Sequence, residues 1–437
     1  MIETNNSLLQ NLIDGFSPEK QSDTIKSEAF EKLKNLGFPT TKNEEWKYTN
    51  LSNLVSKPFQ IAAGKYSHQT TTAQIKRFRL ESFKANELVL INGVFIAEAS
   101  KTYSPAHELE ILSFQDAKKL NHPLFSQHFS KYAQVKDGFS AANTAFAEDG
   151  YLIHVPKGKE PELPLVIHHI TDSSFDNILV QPRLLIVLGE NAGLKVVEMY
   201  NNFPNGNADT TNLSNGITEI FLEKSSRCSH YKIHNDESNC NHVGTVQVRQ
   251  LDKSVFNSFT FTLQGGLVRN NLNIEIDGQY AECHMNGLYL CRGTMLVDNH
   301  TFVNHLQPNS ESNELYKGVI DGKATGVFNG KIYVSKDAQK TNAFQSNRNI
   351  LLSPEGSIYT KPQLEIFADD VKCSHGTTTG QLDSEALFYL RARGLSEEAG
   401  KALLLKAFVN EVVETVDLEP LKQYLEAEVE RWFGKVG

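Results

Sequence analysis

Cysteine is scarce in this 437-residue chain: there are five, an odd number, and no two form a CxxC pair. That excludes a disulfide framework and standard zinc modules, and it fits reduced thiols in a cytoplasmic protein. Positive charge is also short, with 43 Lys and Arg against 52 Asp and Glu, a net charge of −9. Such a chain is a poor electrostatic partner for nucleic acid or for an anionic membrane surface. No hydrophobic run approaches the ~20 residues needed to cross a bilayer, and residues 1–6 are polar, without a signal-peptide core. Nucleotide and hydrolase signatures are missing too: no GxxxxGK[ST], no GxGxxG after a strand, no HExxH and no GxSxG. Energy from ATP would therefore have to arrive through another chain.

What is present is an apolar, aromatic-rich sequence. A hydrophobic fraction of 40% with 25 Phe and 14 Tyr argues against disorder. The length favours two or three domains that fold without a disulfide or zinc staple. Three regions differ in periodicity. Residues 1–145 read as mostly helical with mixed short elements. Phe30, Leu33 and Leu36 share a helix face ended by Gly37 and Pro39. A polar stretch with two aromatics, Glu44-Glu45-Trp46-Lys47-Tyr48, follows, and later the apolar run Leu88-Val89-Leu90-Ile91.

Residues 146–382 read as strands. Phe259, Phe261 and Leu263 alternate with polar residues, as do Leu272, Ile274 and Ile276, and Phe328, Gly330, Ile332 and Val334. Period-2 alternation predicts one set inside and the other in water. Gly265-Gly266, Asp277-Gly278, Asp321-Gly322 and Asp369-Asp370 punctuate the strands. A sandwich, a barrel and a solenoid all fit; no exact repeat supports the solenoid, whereas the length and small-residue corners suit a β-helix. Residues 383–437 return to helix. Ser396 is a predicted cap, Leu405, Phe408, Val409, Val412, Val413 and Val416 form one stripe, and Pro420 opens a second helix. That stripe has two readings: a cover for the chain's own β-domain, or a docking face for a partner.

Cysteine and histidine lie close together in Cys228-Ser229-His230, Cys240-Asn241-His242, Cys283-His284 and Cys373-Ser374-His375. On a strand, Cys373 and His375 point the same way, whereas Cys283 and His284 point to opposite faces. A free cysteine on a strand is usually a small buried hydrophobe, and none of these spacings is a standard zinc motif. His375 differs in standing at the last rung of the strand region, where an imidazole can meet another protein. The neighbouring acids Asp369 and Asp370 would suit a sugar-cleaving β-helix only with further converging carboxylates, and corner formation explains them more simply.

The stretch from Ala368 to Glu414, ADDVKCSHGTTTGQLDSEALFYLRARGLSEEAGKALLLKAFVNEVVE, resembles the C-terminal signature of the SufD family, subunits of the SUF iron–sulfur cluster assembly machinery. NEEWKYTNL, from Asn43 to Leu51, resembles the family's N-terminal motif, and the length also fits. The resemblance implies a right-handed parallel β-helix flanked by helical N- and C-terminal regions. It implies a non-catalytic scaffold that pairs with SufB and docks the ATPase SufC, this chain binding no nucleotide. It gives Leu405, Phe408, Val409 and Val412 on the C-terminal helices a SufC-docking reading. His375 becomes the histidine that holds iron or a transient Fe–S cluster at the SufB interface, with Cys373 second. SufB-type chains carry a cysteine in the segment that here reads Asn347-Arg348-Asn349-Ile350-Leu351-Leu352, and an acidic-His-acidic motif in place of Cys373-Ser374-His375. Both departures favour SufD. The alternative is a stand-alone, homodimeric metal-binding β-helix protein, and an unpaired β-helix edge invites homodimers of the isolated chain.

Overall fold

The alternating pattern that starts near Tyr151 folds as two parallel sheets wound into one solenoid of about eight turns. The computed structural model describes residues 6–17, 23–62, 72–80, 83–173, 177–203 and 211–434. Residues 1–5, expected to be polar, and residues 18–22 of the predicted N-terminal helical segment lie outside the described residues. One sheet has 11 strands and ends at Ser357–Ile366; the other has 10 and ends at Lys372–Gly380. From Arg183–Leu188 onward consecutive strands alternate between the sheets, so each pairs with the one a full turn away.

The turn length is uneven. Leu267 pairs with Leu296 and Leu296 with Thr325, 29 residues apart each time, but Val255 pairs with Glu282 after 27 and Thr325 with Ser357 after 32. One recurring element is backbone conformation. Asn191, Ser225, Lys253, Tyr280, Asn309 and Lys340 each stand at the same corner of successive turns with φ between 57° and 61°. Only the backbone state recurs there, on four residue types, so no sequence repeat announces it.

Inside, Ile153, Ile186, Ile220, Val248, Ile274, Val303 and Ile332 stack in register on successive turns, all essentially without solvent exposure. Each contributes about 1.5–3 kcal/mol by burial. A second ladder, Cys228, Phe256, Cys283, Ser312, Ala343 and Cys373, runs up the other sheet. Polar side chains share this interior. Glu198 accepts hydrogen bonds from His230 Nε2 (2.7 Å), Tyr200 Oη (2.9 Å), His169 Nε2 (3.0 Å) and Thr218 Oγ1 (3.1 Å). Burial opposes ionisation of Glu198, but the histidine hydrogen bonds outweigh it and hold the carboxyl well below its ordinary range.

His305 is also fully buried and bonds Ser310 Oγ (2.8 Å) and Ser312 Oγ (2.9 Å). Burial lowers its pKa to about 4. A depressed imidazole pKa gives stability that is complete above the unfolded value of about 6.5 and is lost as pH falls toward the folded value. The urea-midpoint stability gap between wild type and His305→Asn is therefore expected to shrink by about 1.4 kcal/mol per pH unit below pH 6.5. A gap that does not change with pH refutes this.

Parallel sheets need cover on both faces. The N-terminal region covers one sheet: Phe139, Ala142 and Phe146 of the Gly138–Phe146 helix pack with Leu33, Trp46, Leu213 and Val243. Its own strands extend the sheets, Asn86–Ile91 beside Leu165–Asp172 and Glu110–Ser113 beside Tyr151–Val155. The motif around Trp46 straps four turns together. Arg269 lies 3.8 Å over the Trp46 ring and donates to Glu45 O (2.7 Å) and Asp298 Oδ2 (2.6 Å). Asn329 donates to Glu45, Lys361 bonds Glu44 (2.6 Å), and Tyr48 stacks on Tyr359.

The C-terminal helices cover the other sheet, with two corrections to expectation. Leu405, Val409 and Val412 are 0% exposed and pack with Val413, Leu421, Leu425 and Trp432 against Val197, Tyr231, Phe259 and Leu288. They belong to the chain's own core and offer SufC no surface in this packing; Phe408 is half-buried beneath Lys317, whose Nζ lies 4.4 Å from the ring. The same packing overturns the inside–outside expectation for Phe259, Phe261 and Leu263. These face outward under the helices, and buried Thr260 and Thr262 lie on the opposite, inner face, because a covered sheet has no watery side.

Candidate functional site

The sheets lose their cover at the C-terminal end of the solenoid. Lys372–Gly380 is exposed along most of its length, and Ser357–Ile366 is only partly buried. Each is the last strand of its sheet. Phe344, Tyr359, Ile366 and Phe367 stand exposed around this end. Unpaired strand edges with apolar neighbours are a template for another chain's strand. The following helix, Ser384–Ala392, is capped by Asp383, buries none of its residues and shows Phe388 (75% exposed) and Tyr389 (57%) to solvent.

His375 lies on the last strand and is exposed. Cys373, two residues earlier, is half-buried at the top of the ladder that starts at Cys228, directly above fully buried Ala343. Burial raises its thiol pKa, so it stays a protonated thiol and packs as one. His375 is in register with Gln345, and Gln345 with Glu314, both buried. Gln345 Nε2 donates to Glu314 Oε2 at 2.7 Å. The sequence carried no sign of Gln345 and Glu314; the register that stacks them under His375 exists only once the turns are wound.

The other Cys–His pairs separate. Cys228, Cys240, Cys283 and Cys291 are buried, and burial raises the Cys228 thiol to about 12. His230 belongs to the Glu198 network, and His242 packs against His234 with ring centroids 4.3 Å apart. His284 points away from the buried Cys283, as strand alternation requires, toward Glu282 and Glu311 on the outer face. Asp370 forms a corner, its N–H donating to Gln339 Oε1 at 2.9 Å. Among the described residues, the one group of three His, Cys, Asp or Glu with ligand atoms within 4.8 Å of one another is Glu282, His284 and Glu311. His375 and Cys373 therefore do not form a complete ligand set within this chain's described residues. No helix among them is long and apolar enough to cross a membrane.

Comparison with known proteins agrees with this layout. A family model for the SUF system FeS cluster assembly SufBD core domain matches residues 169–408, and one for the SufBD protein N-terminal region matches residues 13–167. An iron–sulfur cluster assembly SufBD family protein of Synechocystis is 32% identical over 394 residues, covering 89% of this chain and 86% of that protein. The iron–sulfur cluster assembly protein SufD of Escherichia coli is 29% identical over 402 residues, covering 91% of this chain and 90% of that protein. A solenoid between two helical covers, the two signature segments and these matches agree: the chain belongs to the SufBD family of the SUF iron–sulfur cluster assembly system, with SufD among its homologues.

Proposed function

We propose that this chain is a non-catalytic scaffold subunit of SufD type, which pairs with a SufB-type chain and docks a SufC-type ATPase. The observation that carries this reading is the uncovered end of the solenoid, where two open strand edges, an apolar rim and His375 occur together. Strand addition would extend both parallel sheets into the partner. His375 then supplies one imidazole, a ligand type suited to iron, while thiolates come from SufB; the incomplete ligand set on this side favours a shared site. The iron or nascent cluster is cargo, held transiently. Docking of SufC falls to exposed Phe388, Tyr389 and Leu403, since the stripe through Leu405 is used in the core. ATP hydrolysis in SufC would then strain the SufB–SufD pair and open the shared site.

Native mass spectrometry of the chain co-expressed with its SufB- and SufC-type partners tests this. The expected particle holds one copy of this chain, one SufB and two SufC. The group formed by Glu282, His284 and Glu311 favours one alternative, a homodimer carrying its own metal. A chain that stays apart from both partners with stoichiometric bound metal would establish that alternative and refute the scaffold.

A further inference from the structure

Three side chains on successive turns, Glu314, Gln345 and His375, lie in one register column on the last three strands of their sheet. Alternation puts them on the same face, and that face is the solenoid interior, since neighbouring Ser312 and Ala343 line it at 0% exposure. Glu314 and Gln345 are each 4% exposed, whereas His375 is open to solvent. The column thus runs from a buried acid to an exposed imidazole in steps of one strand spacing, about 4.8 Å.

The middle member is held at one end only. Its amide Nε2 is fixed by Glu314 at 2.7 Å, while Gln345 Oε1 is buried without a hydrogen-bond partner. An unmet buried acceptor costs about 1–3 kcal/mol and asks for a donor. The fold also makes room for this amide. Gly330 on the facing sheet lies so close that a Cβ there would stand 2.2 Å from Gln345 Nε2. Any larger residue at 330 would force the glutamine amide or the Phe328 ring to shift.

We propose that Gln345 and Glu314 are positioning residues for His375: a ring N–H of His375 donates to Gln345 Oε1, Gln345 donates to Glu314, and the second ring nitrogen is left facing outward as the acceptor. This rests on the reading of His375 as an iron or cluster ligand and deepens it. A ligating imidazole needs its non-ligating N–H fixed by an acceptor, which sets both the tautomer and the ring plane. Burial keeps the Glu314 carboxyl protonated more readily than usual, and it can still accept from Gln345. Neither residue touches the cargo.

The test uses the full chain with 15N-labelled histidine, the His375 signal being assigned by its loss in His375→Gln. Wild type is expected to show His375 as one neutral tautomer at alkaline pH. Gln345→Met, which keeps volume and flexibility but removes the acceptor, is expected to give a tautomer mixture. Gln345→Glu, which restores an oxygen acceptor at the same place, is expected to restore the single tautomer. In the complex with SufB- and SufC-type partners, Gln345→Met should lower cluster assembly about 10-fold, the usual size of an outer-shell loss. An unchanged His375 tautomer in Gln345→Met overturns the relay, whatever the assembly rate. A shifted tautomer with undiminished assembly overturns its functional part. A His375→Ala complex that assembles clusters normally would instead sink the ligand reading, and the labelled-histidine spectra would still decide the relay.

Discussion

Glu219→Ala is expected to destabilise the chain by about 3–5 kcal/mol, the cost of stranding one partner of a buried ion pair. Glu219 and Arg183 have side chains 0% and 1% exposed, with Arg183 Nη2 2.8 Å from Glu219 Oε2. Glu219 also accepts the backbone N–H groups of Tyr132 and Ala133 at 3.0 Å and of Ser130 at 3.1 Å. Arg183 also donates to Asn143 and Thr144 through Nη1 and to Ser130 through Nη2. The pair therefore ties the 130–133 loop and the Gly138–Phe146 helix to the solenoid sheet, and its loss leaves a guanidinium and three N–H groups buried without their acceptor. A urea-midpoint shift measures the loss, and faster tryptic cleavage at exposed Lys131 locates it. A shift below about 1 kcal/mol would mean that water replaces the carboxylate and that the pair is no clamp.

His375→Ala is the opposite kind of change, large in function and small in stability. The imidazole is exposed and covers no core, so folding stability should move by no more than about 0.5 kcal/mol. The complex with SufB- and SufC-type partners should still form, because the strand edges that pair are backbone. If His375 is the ligand proposed above, cluster assembly should nevertheless fall at least 10-fold, since losses beyond the ligand shell alone reach 10- to 100-fold. Cys373→Ala serves as the comparison. Its half-buried thiol sits above Ala343 in a packing ladder, and its protonated form is a poor ligand, so assembly should change little. Equal losses from both variants would transfer part of the ligand role to Cys373.

Helix boundaries were legible where local chemistry sets them. Gly37 ends the Thr24–Leu36 helix with φ of 61° and its N–H on Leu33 O. Ser396 caps Glu397–Val413 through Ala399 N, and Pro420 sits in the first turn of Glu419–Phe433. Strand positions were legible for a similar reason, since period-2 alternation marks extended backbone wherever it occurs. His375 was found by its place at the end of that pattern together with the family signature.

Which way a strand faced was a different matter. Phe261 and Thr262 are both fully buried, so polarity does not distinguish a lumen from an interface when helices cover the outside. The stripe through Leu405 and Val409 looked the same whether it covers the chain's own sheet or a partner. The outward-facing residues of Val255–Gln264 and neighbouring strands, supplied from more than a hundred residues away, settled that question.

The residue order on its own carried a mainly β chain with helices at both ends, because propensity, capping and alternation act over a few residues, whereas the choice of a β-helix over a sandwich or barrel came with the family signature. The winding of the chain assigned the rest: the Glu198 network, the Glu219–Arg183 clamp and the Gln345–Glu314 pair beneath His375. Apart from the local Tyr200–Glu198 bond, those contacts join residues from 20 to nearly 90 positions apart. Their partners are chosen by turns of 26 to 34 residues whose corners share a backbone conformation but no single residue type, so no local pattern encodes which side chains meet.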